Sequence, residues 1–393
     1  MKAIRNVGRL FTPGHEVRRD VDVLIDGERI AAVVPAGTGR GDDDSFDCRG
    51  ALVTPGLIDA HTHPVYAAPR LEEVARRAAG ASYSEIASLG GGINATVAST
   101  RDTPIEVLQE GARSRFSRWL EQGTTTLEAK SGYWLNHTGE IEAVRLMAAL
   151  SADPSLPRLC VTFLGAHELP AEFRDDRDSF VREVESWSEE AAGAGAQFCD
   201  VFCDQGAFSV DEARAILLAG RRAGLGLRIH ADEIALTGGS HLAAELGVAS
   251  ADHLLRIGDA EITALKRAGC TATLCPVTAL NMGQLPPARS LIERGVPIAL
   301  GTDHNPGTSG TTSMSLVVYL AVCEFKMTVD EAVTAATWGG ARSLQLHDRG
   351  LIEHGMLADL TMWDADHEGA FAWEPGLRAI AVWRGGQLVK GSS

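Results

Sequence analysis

Eight short apolar runs, each ending in polar residues and each separated from the next by a helical stretch, dominate residues 52–303. They read LVTPGLIDAHTH, TTTLEAK, LCVTFLGAH, FCDVFCD, LRIHADE, VASADHLL, TATLCPV and VPIALGTD. Strands that alternate with helices predict a parallel sheet, because a parallel connection needs a crossover long enough to hold a helix. Eight such units predict an α/β fold closed into a (β/α)8 TIM-like barrel. The helices carry their own boundaries. Ser209 with Glu212, and Thr328 with Glu331, form capping boxes that satisfy backbone N–H groups of a first helical turn. Gly224 and Gly269 stand where a helix ends in a left-handed residue. An open doubly wound sheet is the competing architecture. No glycine fingerprint supports it, since GLGLR at 224–228 precedes a strand and does not open a helix.

The two ends of the chain read differently. VDVLIDGERIAAVVP forms two short strands about Asp26-Gly27, a hairpin signal. ADLTMWDAD and LRAIAVWRGGQLV are again strands, the latter turning at Gly385-Gly386. The expected division is a small β-sandwich built from residues 1–52 and 349–393, with the barrel over 53–348. Gly37–Asp44 is the linker-like segment.

Composition narrows the function classes. Hydrophobic residues at 45% and charged residues at 22% mark a soluble globular chain. The net charge is −16, which disfavours binding to nucleic acid or to an anionic membrane surface. The longest apolar run, Leu316–Cys323, is far short of the roughly 20 residues of a membrane span. The opening MKAIRNVGRLF shows no secretory h-region. Seven Cys lack disulfide or zinc-ribbon spacing, so they read as reduced core residues of a cytoplasmic protein.

The chemistry collects at the strand ends, which in a barrel form the active-site face. The first strand ends in His61-Thr62-His63 and the second in Glu128 and Lys130. His167 and Asp204 end the third and fourth. His230, Asp232 and Glu233 end the fifth, His253 the sixth and Asp303 the eighth. His61 and His63, two apart on a strand, share a face. With His230 and Asp303 they make three imidazoles and a carboxylate, a set suited to Zn or Fe rather than Ca or Mg. Lys130 reads as an internal ion-pair partner. Arg70, on the loop after the first strand, can grip a carboxylate with its planar fork. His15, His137, His241, His347, His354 and His367 lie away from strand ends and read as surface or structural residues.

PGLIDAHTH, with the later His and Asp, resembles the metal-dependent amidohydrolase superfamily. The resemblance narrows over nearly the whole chain to the imidazolonepropionase family. It rests on HTHPVYAAPR, GASYSEIASLGGGINATVASTR, TTTLEAKSGY, FLGAHELP, GLRIHADEI, SADHL and GTDHNPGTSGTTSM. It implies metal ligands His61, His63, His230 and Asp303. It implies substrate contacts from Arg70, Tyr133, His167, Glu233, Asn305, Gly307 and Thr308, with Glu233, His253 and Asp303 as the catalytic groups. The implied reaction is hydrolytic opening of 4-imidazolone-5-propanoate, a small carboxylate substrate, to N-formimidoyl-L-glutamate. One divalent or trivalent transition metal per chain, Zn or Fe, is implied, because Cys203-Asp204 stands where binuclear relatives carry a carboxylated Lys. A homodimer is expected, as for many such barrels. Trp134 and His304 depart from the family pattern beside implied substrate residues, which leaves room for a related imidazolone or hydantoin-like acid. A mononuclear deaminase shares the same metal set. A non-catalytic scaffold barrel is opposed by the complete ligand set.

Overall fold

The computed structural model describes residues 1–39, 45–81, 85–86 and 89–391. Residues 40–44 of the linker-like segment Gly37–Asp44, and 82–84 and 87–88 of the GASYSEIASLGGG stretch, lie outside these. The N-terminal part forms β1 (Lys2–Leu10), β2 (Arg18–Asp26), β3 (Arg29–Pro35), β4 (Phe46–Asp47) and β5 (Leu52–Pro55). The barrel strands follow: β6 (Leu57–Asp59), β7 (Thr124–Lys130), β8 (Arg158–Ala166), β9 (Phe198–Cys203), β10 (Gly226–Ala231), β11 (Ser250–His253), β12 (Thr271–Leu274) and β13 (Ile298–Leu300). Each pairs in parallel with the next.

The ring closes between β13 and β6. Ala60 N donates to Leu300 O at 3.2 Å, Asp303 N to His61 O at 2.9 Å, and His63 N to His304 O at 2.8 Å. The bonds that shut the barrel therefore run through the backbone of the expected metal ligands. Every residue of β7, β9, β11 and β12 is buried, because one face meets the barrel axis and the other meets helices. The helix boundaries fall as the sequence predicts. Ser209 and Thr328 cap Val210–Arg222 and Val329–Thr334 with reciprocal capping boxes, and Gly269 ends Asp259–Ala268 at φ 70°.

The chain ends with β14 (Leu360–Trp363), β15 (Ala379–Arg384) and β16 (Gln387–Lys390). They join the N-terminal strands in one sheet of order β16-β15-β14-β5-β1-β2-β3, with β4 against β1. The β5–β14 pairing is what unites the two ends. The sheet folds over a core of its own that includes Ile4, Val23, Val53 and Leu360. Phe46 on β4 meets Trp383 on β15 edge-on at 5.0 Å, so distant strands face one another as in a sandwich. Trp363 belongs instead to the barrel's core, and its Nε1 donates to Thr54 Oγ1 at 2.9 Å. The seven Cys are free, six of them buried. Among the described residues no helix is long and apolar enough to cross a membrane.

Candidate active site

β6 runs directly into His61, Thr62 and His63. Alternation turns Thr62 away, where its hydroxyl donates to Glu128 O, and sends both imidazoles to one side. His61 Nε2 lies 3.2 Å from His63 Nε2, which lies 3.3 Å from His230 Nε2. Asp303 Oδ1 sits 3.5 Å and 3.4 Å from the first two. Four ligands bonded tetrahedrally to Zn at its usual length are separated by about 3.4 Å, so the donor spacing fits a transition metal. The second nitrogens decide the tautomers. His61 Nδ1 is 2.7 Å from Asp252 Oδ2, and His230 Nδ1 is 3.1 Å from Asp200 Oδ2. A proton on each Nδ1 leaves a bare lone pair on each Nε2. Bare lone pairs at such spacing repel unless a cation lies between them. Burial pushes His61 and His63 well below their ordinary pKa and so disfavours protonation of these two rings.

A buried ionic network supports these ligands from below. Lys130 Nζ donates to Glu128 Oε1 at 2.7 Å and Asp200 Oδ2 at 2.6 Å, and lies 3.6 Å from Asp252 Oδ2. Arg228 joins Glu128 at 2.8 Å and Asp252 at 3.0 Å. All five side chains are fully buried. Burial opposes the charge on Lys130, yet Asp200 and Glu128 outweigh it and hold the ammonium above its ordinary pKa. Lys130 is the internal ion-pair partner the sequence suggested.

Above the metal donors opens a cavity. His63, His230, Asp303, Glu233 and His253 line it together with Arg70, Tyr133, His167, Asn305 and Thr308. His61 lies beneath His63, and Gly307 lies under Arg70. Glu233 reaches the cavity because β10 stops at Ala231 and Asp232 takes φ 52°. Asp204 fixes the turn by accepting from the backbone N–H groups of Glu233, Ile234 and Ala235. Burial, then Asp303 and Asp204, raise the Glu233 pKa well above the ordinary carboxylate range. His253 Nδ1 is 3.6 Å from Glu233 Oε1, and burial pushes its pKa down to about 3, leaving a neutral ring. Thr278 donates to Asp303 Oδ2 at 2.5 Å and leaves Oδ1 toward the histidines. Burial raises Asp303 to about 6.

Arg70 is anchored on two sides, with Nε 3.0 Å from Glu73 Oε1 and NH1 donating to Thr96 Oγ1 at 2.7 Å. The NH2 end of its guanidinium closes on Gly307, where a Cβ would come within 1.8 Å, so a larger residue there would displace the Arg70 head group. Asn305 Oδ1 accepts from Gly307 N and Thr308 N at 2.8 and 2.7 Å, so this residue shapes the turn after β13. His167 stacks on His63 with ring centroids 4.8 Å apart and donates through Nδ1 to Gly132 O at 3.0 Å.

The Amidohydrolase family model matches residues 52–389. An imidazolonepropionase of Geobacillus thermodenitrificans is 45% identical over 354 residues, covering 89% of this chain and 83% of that protein. One from Desulfotalea psychrophila is 41% identical over 363 residues, covering 91% and 87%. The chain is an amidohydrolase of the imidazolonepropionase family. An atrazine chlorohydrolase variant from Arthrobacter aurescens TC1, solved with zinc and atraton, has a TM-score of 0.78 at 20% identity over 100% of this chain and 95% of that one. At that identity the likeness concerns the fold alone.

In this amidohydrolase neither of the two residues that depart from the family pattern is among those that line the cavity. Trp134 packs against Gly139, where a Cβ would fall 2.1 Å from its ring. His304 contacts the Tyr66 hydroxyl at 2.9 Å and Thr311 O at 3.0 Å, with its ring edge-on to Trp119. Neither bears on substrate identity by contact. His15, His137 and His241 pair with Glu353, Glu190 and Glu261 away from the cavity. Sequence reasoning passed over several residues that position the amidohydrolase site. Glu140 accepts from Gly132 N, Trp134 N and Leu135 N, each at 2.8 Å, and so fixes the loop that carries Tyr133. Asp200 and Asp252 orient the ligand imidazoles. Their signal was available, since each lies within a strand that ends at the site. Ile93, Phe202, Ile234 and Met282 supply apolar walls.

Proposed function

We propose that this amidohydrolase opens the ring of 4-imidazolone-5-propanoate with water and yields N-formimidoyl-L-glutamate. One observation carries the reading. A single cavity is lined by three of the four metal donors, by Glu233 and by the guanidinium of Arg70. The first two serve hydrolysis of a cyclic amide, and the third serves a substrate with a carboxylate arm. When bound, the metal polarises the ring carbonyl and lowers the pKa of water to about 7.

The residues then divide the work. Asp303 accepts the proton of the attacking water. A bond forms between the water oxygen and the carbonyl carbon, and the carbonyl C–N bond breaks. Glu233 gives its proton to the departing ring nitrogen. His253, neutral and beside Glu233, hydrogen-bonds the oxyanion that develops on the carbonyl oxygen. Arg70 holds the propanoate, while Tyr133, His167, Asn305 and Thr308 surround the ring and arm. Gly307 admits the Arg70 guanidinium.

One Zn or Fe ion per chain completes the site, held by His61, His63, His230 and Asp303. The catalytic unit is the barrel expected over 53–348, which begins at Leu57 because Leu52–Pro55 pairs into the terminal sheet, in a cytoplasmic homodimer. A deaminase would use the same metal donors, but Arg70 in the cavity favours an acid substrate. Ring opening of the imidazolone acid by metal-loaded enzyme, with the product identified, tests the proposal.

A further inference from the structure

Glu73 belongs to no part of the chemistry above, yet it is buried in the helix Leu71–Ala78 beside the cavity. Its carboxylate meets the two arginines that flank it on this helix, Arg70 at the N-cap and Arg77 one turn on, and the backbone of Gly92 in the next loop. Oε1 lies 3.0 Å from Arg70 Nε and accepts from Gly92 N at 2.7 Å. Oε2 accepts from Arg77 NH1 at 3.2 Å. Arg77 in turn donates through NH2 to Gly307 O at 2.7 Å, and Arg70 N donates to Pro306 O at 2.7 Å. One carboxylate thus ties the loop after β6, the helix that follows, the Gly91-Gly92 loop and the turn after β13.

We propose that Glu73 is a positioning residue for substrate binding, holding the Arg70 guanidinium in the orientation that receives the substrate carboxylate. This rests on the reading of Arg70 given above. Two guanidinium groups share one carboxylate, so a net positive charge remains beside the cavity. A free Arg side chain has many rotamers, and fixing it at the moment of binding would weaken affinity. Here the Glu73 carboxylate pairs with the guanidinium 3.0 Å from Nε, Thr96 accepts from NH1, and the NH2 end lies against Gly307. The orientation is set on folding, and the remaining N–H groups stay available to a ligand. Because Glu73 does not reach the metal donors, its loss acts on binding and leaves the chemical step alone.

The test is a double-mutant cycle on turnover, with Glu73→Gln, Arg70→Met and the pair together, and with bound metal and thermal unfolding read for each. Glu73→Gln is expected to raise KM about tenfold at nearly unchanged kcat. Arg70→Met is expected to raise KM about a hundredfold, and the double variant to match Arg70→Met alone, since Glu73 acts through Arg70. If Glu73→Gln does not fold, Glu73→Asp keeps the charge but withdraws the carboxylate from Arg70 Nε, and the same KM rise at unchanged kcat is expected of it. An unchanged KM in Arg70→Met would overturn the carboxylate reading itself. A raised KM there, with the Glu73 effect multiplying in the double variant or falling on kcat, would overturn the role of Glu73 alone.

Discussion

Asp232 adopts φ 52° directly after β10, and that left-handed residue decides what Glu233 can do. On a continued strand Glu233, three positions past His230, would face the opposite side. The sequence made Glu233 a candidate by its place at the end of the fifth strand and by resemblance to a family, since beyond the strand end the backbone is free to turn it inward. The turn is legible only afterwards, in Asp204 and Asp232. Asp204 binds three successive backbone N–H groups, and Asp232 accepts from Thr237 N, Gly238 N and Ser240 N. Side chains that act on the backbone of another loop leave no periodic trace, and Glu140 escaped notice for the same reason. Glu233→Gln removes the proton delivered to the leaving nitrogen and touches no metal donor. Its kcat should fall by roughly 10²–10⁴ with metal content unchanged, as read by steady-state kinetics and metal analysis. Near-normal turnover would remove Glu233 from the acid role.

The barrel strands were readable because each is a short apolar run that ends in chemistry. His61, His63, His230 and Asp303 could be grouped from strand ends alone. The register that joins neighbouring strands could not be read. It places His230 opposite Asp252 and Phe202, and Ala231 opposite His253. Register also brings Lys130, Glu128, Arg228, Asp200 and Asp252 to one level of the barrel axis, so the partners of Lys130 were hidden although its role as an ion-pair residue was not. Removing one member of such a network leaves the others charged in a dry interior. Lys130→Met should lower the unfolding free energy by about 3–5 kcal/mol, measured by denaturant titration. A loss within 1 kcal/mol of zero would mean that the network carries no net stabilisation, on the order expected of an exposed pair.

The chain joins its own ends through β5 and β14, Leu52–Pro55 against Leu360–Trp363. The hairpins at both termini were legible, but a pairing across three hundred residues has no local sequence mark. A net charge of −16 repels a small anion at long range. Net charge governs solubility and long-range steering, whereas Arg70 and a bound cation set the field within the cavity. A metal that binds the folded chain also stabilises it by mass action. Stripping it with a chelator should lower the unfolding free energy by about 4 kcal/mol relative to protein with free metal at a thousand times its Kd. Scanning calorimetry with and without added Zn or Fe reads this directly, and identical transitions would contradict the assigned donor set. The central claim is tested by one assay. Metal-loaded enzyme is mixed with 4-imidazolone-5-propanoate and, separately, with its neutral propanamide analogue, and ring absorbance and product are followed. The account predicts loss of the ring, stoichiometric N-formimidoyl-L-glutamate and a marked preference for the acid; an intact ring in the fully loaded enzyme, or a product that retains it, would contradict it.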